Sequence, residues 1–250
     1  MRLSPVLASL ALCAGSLSAQ VTIKSAASFR IEQPVSPGAW AIAEGNFAGV
    51  TPTVLETSPL PKEIAGVSVT VDGIAAAMNF AGPTQVNFVV PYGAATGTRP
   101  VQIKTATATI NATIRIIPAA PALFTKDTTA TLPPKGATRL VNGSENTATN
   151  PVQRGQYIVL YGSGPGPLST NPADGAGAPG DPLIRTKSTP QVYIDGILTE
   201  SNFSGLTPNF AGLWQINALV PDKPFVAGRV PVVVYMDGVD SNEVAIFVAQ

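Results

Sequence analysis

The chain has 250 residues, of which 45% are hydrophobic and only 12% are charged, and it contains 23 glycines and 24 prolines. Its formal net charge is zero, which gives no electrostatic basis for binding nucleic acid or an anionic membrane surface. Histidine is absent from the sequence, so every histidine-dependent catalytic or metal site is excluded.

The first nineteen residues have the pattern of a secretory signal peptide. Met1-Arg2 is followed by an apolar run over Pro5–Ala14, too short to span a bilayer, and by small residues up to Ala19. We predict cleavage after Ala19; the alternatives are an uncleaved anchor and a lipoprotein formed at Cys13. Because Cys13 is the only cysteine, the mature chain has no disulfide, which favours a bacterial envelope or extracellular protein. We expect no transmembrane segment and no cofactor in the mature chain.

An internal repeat with a period of about 120 residues is the most informative feature of the sequence. Four blocks recur in the same order: Pro37–Ile42 with Arg154–Val159, Val69–Ile74 with Val192–Ile197, Asn79–Gly82 with Asn202–Gly205, and Gln85–Pro91 with Gln215–Pro221. A period of this length is too long for a solenoid unit, so each copy is predicted to be a domain. The predicted division is a signal peptide at 1–19, a first domain at 20–118 and a second domain at 119–250.

Within each copy the hydrophobic pattern predicts strands. Val67, Val69 and Val71 alternate with polar residues, which places the three valines on one face. The pairs Asp72-Gly73 and Asp195-Gly196 are typical of two-residue hairpin turns. Turn residues recur every 8–12 positions and no stretch has a helical period. The predicted fold class is therefore all-β, with two tandem immunoglobulin-like β-sandwich domains.

Two connections are unusual. The segment Ala119–Phe124 contains prolines and is predicted to be a short, stiff linker between the domains. Residues 163–190 are rich in Gly, Pro, Asn and Asp and form a long loop of the second domain. A loop of this length in a compact domain is usually functional or disordered.

Several of these blocks resemble the uncharacterised C-terminal repeat domain of secreted acidobacterial (Solibacter-type) proteins. The residues that match are Ser25–Phe29, Pro37-Gly38, Asn150-Pro151, Arg154-Gly155, Tyr161–Gly166, Gly212–Asn217 and Val220-Pro221. The tail Gly238–Val244 also resembles the immunoglobulin-like domains called IPT/TIG. The first copy has Pro83-Thr84 in place of the glycine and aromatic residue before its glutamine, so its loop should be shorter. The resemblance implies export and an envelope or extracellular role, and it implies no catalytic residues.

Several polar motifs have a structural interpretation that we favour over a functional one. Asp72 and Asp195 are expected to begin turns rather than to bind a cation. The segment Gly162–Gly166 lacks the lysine of a phosphate loop and the spacing of a nucleophile elbow, so it is expected to be only a loop. Asp174, Asp181 and Asn171 could supply oxygen ligands to calcium, but their spacing matches no known calcium motif; we predict no metal site.

The repeated amides Gln85/Asn87 and Gln215/Asn217 are expected to face away from the core residues between them. Among the aromatic residues, Trp40, Tyr157 and Tyr161 lie on predicted strands, and Trp40 and Tyr157 are expected to pack in the core. Phe210 and Trp214 flank a loop, so these two are the candidate ligand-binding residues.

The sequence predicts a non-catalytic binding or adhesion module, secreted or held in the cell envelope, that presents loops of two domains. Its expected partner is an extracellular protein or polysaccharide. The alternatives are a carbohydrate-binding accessory domain, which requires exposed aromatic side chains, and a structural spacer, which requires no groove. An enzyme such as a glycosidase would need two carboxylates in one cleft, and most of the 15 acidic residues lie in predicted turns.

Overall fold

The computed structural model describes residues 21–30, 33–126, 132–222 and 227–249. Within these ranges every regular element is a β-strand and no helix is present. The predicted signal peptide lies outside the described residues.

Strands β1 to β10 form what we call the first sandwich. They are β1 (Thr22–Ser25), β2 (Trp40–Glu44), β3 (Thr53–Val54), β4 (Glu63–Ile64), β5 (Val67–Val71), β6 (Ile74–Ala75), β7 (Ala77–Ala81), β8 (Gln85–Val89), β9 (Gly97–Lys104) and β10 (Thr109–Ile116). One sheet has the order β1-β2-β8-β7-β3, and the other has the order β10-β9-β5-β4 with β6 paired to β5.

Strands β11 to β20 form the second sandwich. They are β11 (Ala122–Leu123), β12 (Thr138–Leu140), β13 (Tyr157–Ser163), β14 (Gln191–Ile194), β15 (Ile197–Thr199), β16 (Ser201–Leu206), β17 (Trp214–Leu219), β18 (Gly228–Met236), β19 (Val239–Asp240) and β20 (Val244–Val248). One sheet has the order β11-β13-β17-β16 with β12 paired to β13, and the other has the order β15-β14-β18-β19 with β20 paired to β18.

The strand order of both sandwiches is that of an immunoglobulin domain, in which strands A, B, E and D form one sheet and C, F and G the other. In the first sandwich these two sets are β1-β2-β8-β7 and β5-β9-β10. In the second they are β11-β13-β17-β16 and β14-β18-β20. The predicted fold class is confirmed: the chain is all-β, with two tandem immunoglobulin-like sandwiches.

Each sandwich has its own apolar core. The alternating Val67, Val69 and Val71 are fully buried, and they pack in one cluster with residues of the opposite sheet such as Phe88. In the second sandwich Val230, Val232 and Val234 on β18 have the same pattern, and they share a cluster with β13 and β17. Burying an aliphatic side chain of this size stabilises the fold by about 1.5–3 kcal/mol. The predicted domain limits at 118 and 119 remain a prediction.

The strand pairing confirms the internal repeat. Ile42 on β2 lies opposite Asn87 on β8, and Val159 on β13 lies opposite Asn217 on β17, as the repeat requires. The bulge at Asn79 in the β7–β8 pair recurs at Asn202 in the β16–β17 pair. A bulge inserts one unpaired residue and bends the strand, so the two copies share an irregularity as well as their strands.

The predicted hairpins are also confirmed. Asp72 and Gly73 have φ values of 53° and 78°, and Asp195 and Gly196 have 50° and 73°. Two consecutive positive φ values define the type I′ turn, which Asp-Gly favours. The turns join β5 to β6 and β14 to β15.

The segment Ala119–Phe124, predicted to be a short, stiff linker between the domains, is instead part of the second sandwich. Ala119, Ala120 and Leu123 are buried, and Ala122–Leu123 is strand β11, which pairs with the end of β13. The segment is therefore an edge strand of the second sandwich, because its small apolar residues gain more from burial than from exposure to solvent.

Candidate functional site

Residues 164–190 run across the junction between the two sandwiches. Asp174 accepts a hydrogen bond from the backbone N–H of Tyr92 at 2.9 Å, and Gly175 accepts one from Leu60 at 2.8 Å. The backbone N–H of Gly177 lies 3.2 Å from the hydroxyl of Ser58. These contacts attach the long loop of the second sandwich to the first, which sequence reasoning did not anticipate.

The start of this loop is structural. Ser163 is 1% exposed, and its hydroxyl accepts a hydrogen bond from the backbone N–H of Trp40 at 2.8 Å, so it is not an accessible nucleophile. Gly164 has a φ of 76°, and a Cβ there would lie 2.0 Å from the carbonyl oxygen of Ala120. Glycine is needed at position 164 because its backbone is in the left-handed region and lies directly against the backbone of Ala120. Gly162 and Ser163 are the last residues of β13, and only residues 164–166 lie in the expected loop.

A connection of seven residues, 207–213, joins β16 to β17 and presents Phe210. In the first sandwich only residues 82–84 make the equivalent connection, which confirms that the first loop is shorter. The carbonyl of Ala178 accepts a hydrogen bond from Asn209 at 2.8 Å, and the N–H of Ala178 donates to Phe210 at 3.2 Å. Asn209 has a φ of 68°. The bonded loop backbone holds Phe210 outward, with 57% of its surface exposed.

Phe210 separates two grooves. The groove that we call the junction groove has a volume of about 480 Å³ and lies between the sandwiches. Its lining includes Trp40, Leu55, Glu56, Thr57, Ser58, Asn79, Asn209, Phe210 and Leu213. The groove that we call the distal groove has a volume of about 600 Å³ and lies on the second sandwich. Its lining includes Phe124, Lys126, Thr138, Arg139, Glu145, Tyr161, Thr207, Phe210 and Leu213. Volumes of this size are in the range of small-molecule sites, about 300–1,000 Å³.

Each groove contains a polar atom without a partner among the described residues. In the junction groove this atom is Oδ1 of Asn79, the bulge residue of β7. In the distal groove it is Oγ1 of Thr207, and this residue is only 8% exposed. Such atoms are uncommon in folded proteins, because leaving a buried polar group unpaired is costly. Both oxygen atoms are themselves buried, so they lie beneath the groove linings and present no surface to a ligand.

The charges in the grooves are few and partly paired. Glu145 lies 3.1 Å from Lys126 and also bonds to Lys135, and these two hydrogen bonds lower the pKa of its carboxyl to about 2. Arg139 donates to the carbonyl of Gly143 at 2.6 Å. Each groove has one acidic side chain among its described lining residues, Glu56 in one and Glu145 in the other. Neither lining supplies the pair of carboxylates that glycoside hydrolysis uses.

The structure separates the two candidate binding residues. Trp214 is fully buried in the core of the second sandwich, and its Nε1 donates to the hydroxyl of Ser204 at 3.0 Å. It lies on β17, where Ile216 and Ala218 point to the same buried face. Trp214 is therefore not accessible for direct contact, and the candidate pair reduces to Phe210. A binding role for Phe210 remains a prediction.

The expectation of core packing is confirmed for Trp40, which packs against the small buried cluster of Leu60, Ala77 and Val89, whereas Tyr157 is in none of the core clusters of the described residues. Trp40 is partly buried at the junction, and its Nε1 donates to the carbonyl of Ala211 at 2.9 Å. Tyr157 is half-buried, and its hydroxyl donates to Glu200 at 2.9 Å, which raises the pKa of Tyr157. Both begin strands at the edge of a core, where an aromatic ring meets the neighbouring segment rather than the opposite sheet. Tyr161, also half-buried, lines the distal groove.

The remaining polar motifs have structural roles. In both copies the glutamine donates to the asparagine two residues later, at 2.6 Å for Gln85 to Asn87 and at 2.9 Å for Gln215 to Asn217. Asp174 receives the hydrogen bond from Tyr92 described above, whereas Asp181 is exposed. Among the residues that the structure describes, no three Asp, Glu, His or Cys side chains are grouped to hold a metal ion.

No described segment forms a helix of the length and apolar character needed to cross a membrane. No protein-family model matches the chain, and no curated protein matches it.

The chain is similar in structure to several surface and extracellular proteins. SGBP-B of the Bacteroides ovatus mixed-linkage glucan utilization locus, solved with a mixed-linkage heptasaccharide, is 12% identical over 89% of this chain and 44% of its own, with a TM-score of 0.34. SGBP-B of a Bacteroides uniformis xyloglucan utilization locus is 12% identical, and the match covers 92% of this chain and 49% of the SGBP-B chain, with a TM-score of 0.29. Domains 5–6 of the S-layer protein SbsC are 15% identical, and the match covers 92% of this chain and 97% of the SbsC chain, with a TM-score of 0.28.

The chain therefore spans about half the length of the two SGBP-B structures. These TM-scores are too low to bear on function, and the assignment of the sandwiches rests on their sheets and cores.

Proposed function

We propose that this chain is a non-catalytic binding module, secreted or held in the cell envelope, that binds an extracellular partner around Phe210. The observation on which the proposal depends is the position of Phe210: an exposed aromatic side chain held by loop hydrogen bonds between two grooves. Aromatic side chains of this kind supply large contact area at little conformational cost.

The surroundings of Phe210 support binding over turnover. The sequence has no histidine, and the described linings of the two grooves have one carboxylate each. Both grooves are positioned by strands and by bonded loops, and such sites are suited to holding a partner in a fixed geometry. The two grooves also weigh against the structural spacer, which has no need of a site. Export is proposed from the sequence pattern of residues 1–19.

The test compares two phenylalanines of similar exposure. Phe210 is 57% exposed in the grooves, and Phe29 is 50% exposed and outside their linings. Wild-type chain from Gln20, Phe210→Ala and Phe29→Ala are labelled and measured for binding to bacterial cells and to immobilised extracellular polysaccharides and proteins. Loss of binding in Phe210→Ala alone, with unchanged urea midpoints, is the expected result. Binding that Phe210→Ala leaves intact for every partner would refute the proposal.

A further inference from the structure

We infer that the ligand is an uncharged polysaccharide strand that lies across Phe210 and occupies the junction groove and the distal groove together. The inference rests on the proposed function and specifies its ligand. It depends on three properties of the site: aromatic side chains, charge balance and apolar groove walls.

The aromatic residues are distributed along both grooves. Trp40 lines the junction groove, Phe210 separates the grooves, and Tyr161 lines the distal groove. One face of a sugar ring presents C–H groups, which pack well on the electron-rich face of an aromatic ring. A strand of linked sugars repeats this C–H face along its length, so it matches aromatic side chains placed in succession.

The charge balance favours a neutral ligand. The two linings together have two basic residues, Lys126 and Arg139, and two acidic residues, Glu56 and Glu145. Lys126 is paired with Glu145 at 3.1 Å, and the junction groove has an acidic but no basic residue among its lining. A uronic-acid or sulfated polysaccharide would therefore meet Glu56 without a compensating cation.

The walls of the distal groove are mainly apolar, with Phe124, Tyr161 and Leu213 beside Phe210. Of the large hydrophobic side chains that are exposed in the described ranges, only Phe210 lines either groove. The C–H faces of a sugar strand can pack on Phe210 and on these apolar walls.

The experiment is calorimetric titration of the chain from Gln20 with soluble neutral polysaccharides (a β-glucan, an α-glucan and a galactomannan) and with acidic alginate and polygalacturonate. We expect binding to at least one neutral polymer and no binding to the acidic ones. Oligosaccharides of that polymer should bind at least tenfold more tightly once they are long enough to reach from one groove into the other.

The variants locate the site. Phe210→Ala should lose at least tenfold in affinity, whereas Phe29→Ala should match wild type. An affinity that does not rise with oligosaccharide length would overturn the two-groove ligand.

The remaining outcomes separate the two proposals. Binding only to acidic polymers, or binding to cells that depends on Phe210 and is abolished by protease treatment of the cells, overturns the neutral polysaccharide and leaves the proposed function in place. Binding to a neutral polymer that Phe210→Ala does not change overturns the ligand inferred here, and it overturns the proposed function as well if Phe210→Ala also leaves binding to cells and proteins intact.

Discussion

Phe210 and Trp214 are only four residues apart, but the connection 207–213 ends between them. Phe210 is therefore exposed on a loop and Trp214 is buried on a strand. Phe210 lies within the connection 207–213, whose backbone bonds to Ala178. Trp214 is the first residue of β17, and alternation along the strand points it into the core. The sequence shows two aromatic residues near a loop, but only the register of β17 decides which of them is buried.

The two residues should therefore differ in their effect on stability. Trp214→Ala removes a fully buried indole and should lower the free energy of unfolding by about 3–5 kcal/mol. Phe210→Ala should change it by less than about 0.5 kcal/mol, as for other surface substitutions. Urea denaturation of the two variants checks this, and a large loss of stability in Phe210→Ala would contradict the exposed position of its ring.

Glu145 gives the protein a dependence on acidic pH. Its hydrogen bonds to Lys135 and Lys126 lower its pKa from the ordinary value of 4.5 to about 2. A lowered pKa in the folded state stabilises the fold above pH 4.5, and this contribution is lost as the pH falls towards 2. The side chain is 38% exposed, so solvent screening keeps the contribution small.

We expect Glu145→Gln to have a lower urea midpoint than wild type at pH 7, and the difference to disappear between pH 4.5 and pH 2. High salt at pH 7 should reduce the same difference. A difference that is unchanged at pH 2 would assign the effect to packing rather than to charge.

At the scale of elements, two buried asparagines fix the edges of the second sandwich. Asn242 accepts from the N–H of Leu123 at 2.8 Å and donates to its carbonyl at 3.0 Å. Asn146 does the same for Phe247, at 2.7 Å for each bond. Each side chain replaces a neighbouring strand for one residue, and it satisfies backbone groups that would otherwise be buried unpaired.

Asn242→Ala should therefore lower the free energy of unfolding by about 2–4 kcal/mol, because it leaves the N–H and carbonyl of the buried Leu123 without this partner. Asn146→Ala should have a similar effect. Asn111→Ala, on the exposed face of β10, is the control and should be nearly neutral. Thermal unfolding of the three variants is sufficient, and equal losses in all three would rule out the role of the paired bonds.

The strands and hairpins could be predicted because their causes are local. The alternation at Val67–Val71 and the turn at Asp72-Gly73 depend on neighbours in sequence. The bonds of Asn242 to Leu123 and of Trp40 to Ser163 join residues more than 100 positions apart, so no local pattern reports them. The same is true of the candidate site, where the aromatic residue was visible but the grooves around it were not.

At the scale of the whole molecule, the loop 164–190 attaches one sandwich to the other. A Cβ on Gly175 would lie 2.7 Å from the Cβ of Ala77, which leaves no room for a side chain between them. Gly175→Ala should push the loop away from the first sandwich and expose Trp40. Gly66 has a similar positive φ with open space around it, so Gly66→Ala is the matched control.

Acrylamide quenching of tryptophan fluorescence measures this effect, because Trp214 is fully buried and the accessible signal comes from Trp40. Quenching should increase in Gly175→Ala and stay at the wild-type level in Gly66→Ala. If the two variants give the same quenching, the loop does not hold the junction closed.

The connection between the two bulged strands has different lengths in the two copies: residues 82–84 in the first sandwich and 207–213 in the second. Only the longer one has a residue in the position of Phe210, and it lines the junction groove together with the bulge residue Asn79 of the other copy. The two copies therefore present one such loop instead of two equivalent ones. The stoichiometry of binding should be one ligand per chain, despite the twofold repetition of the fold.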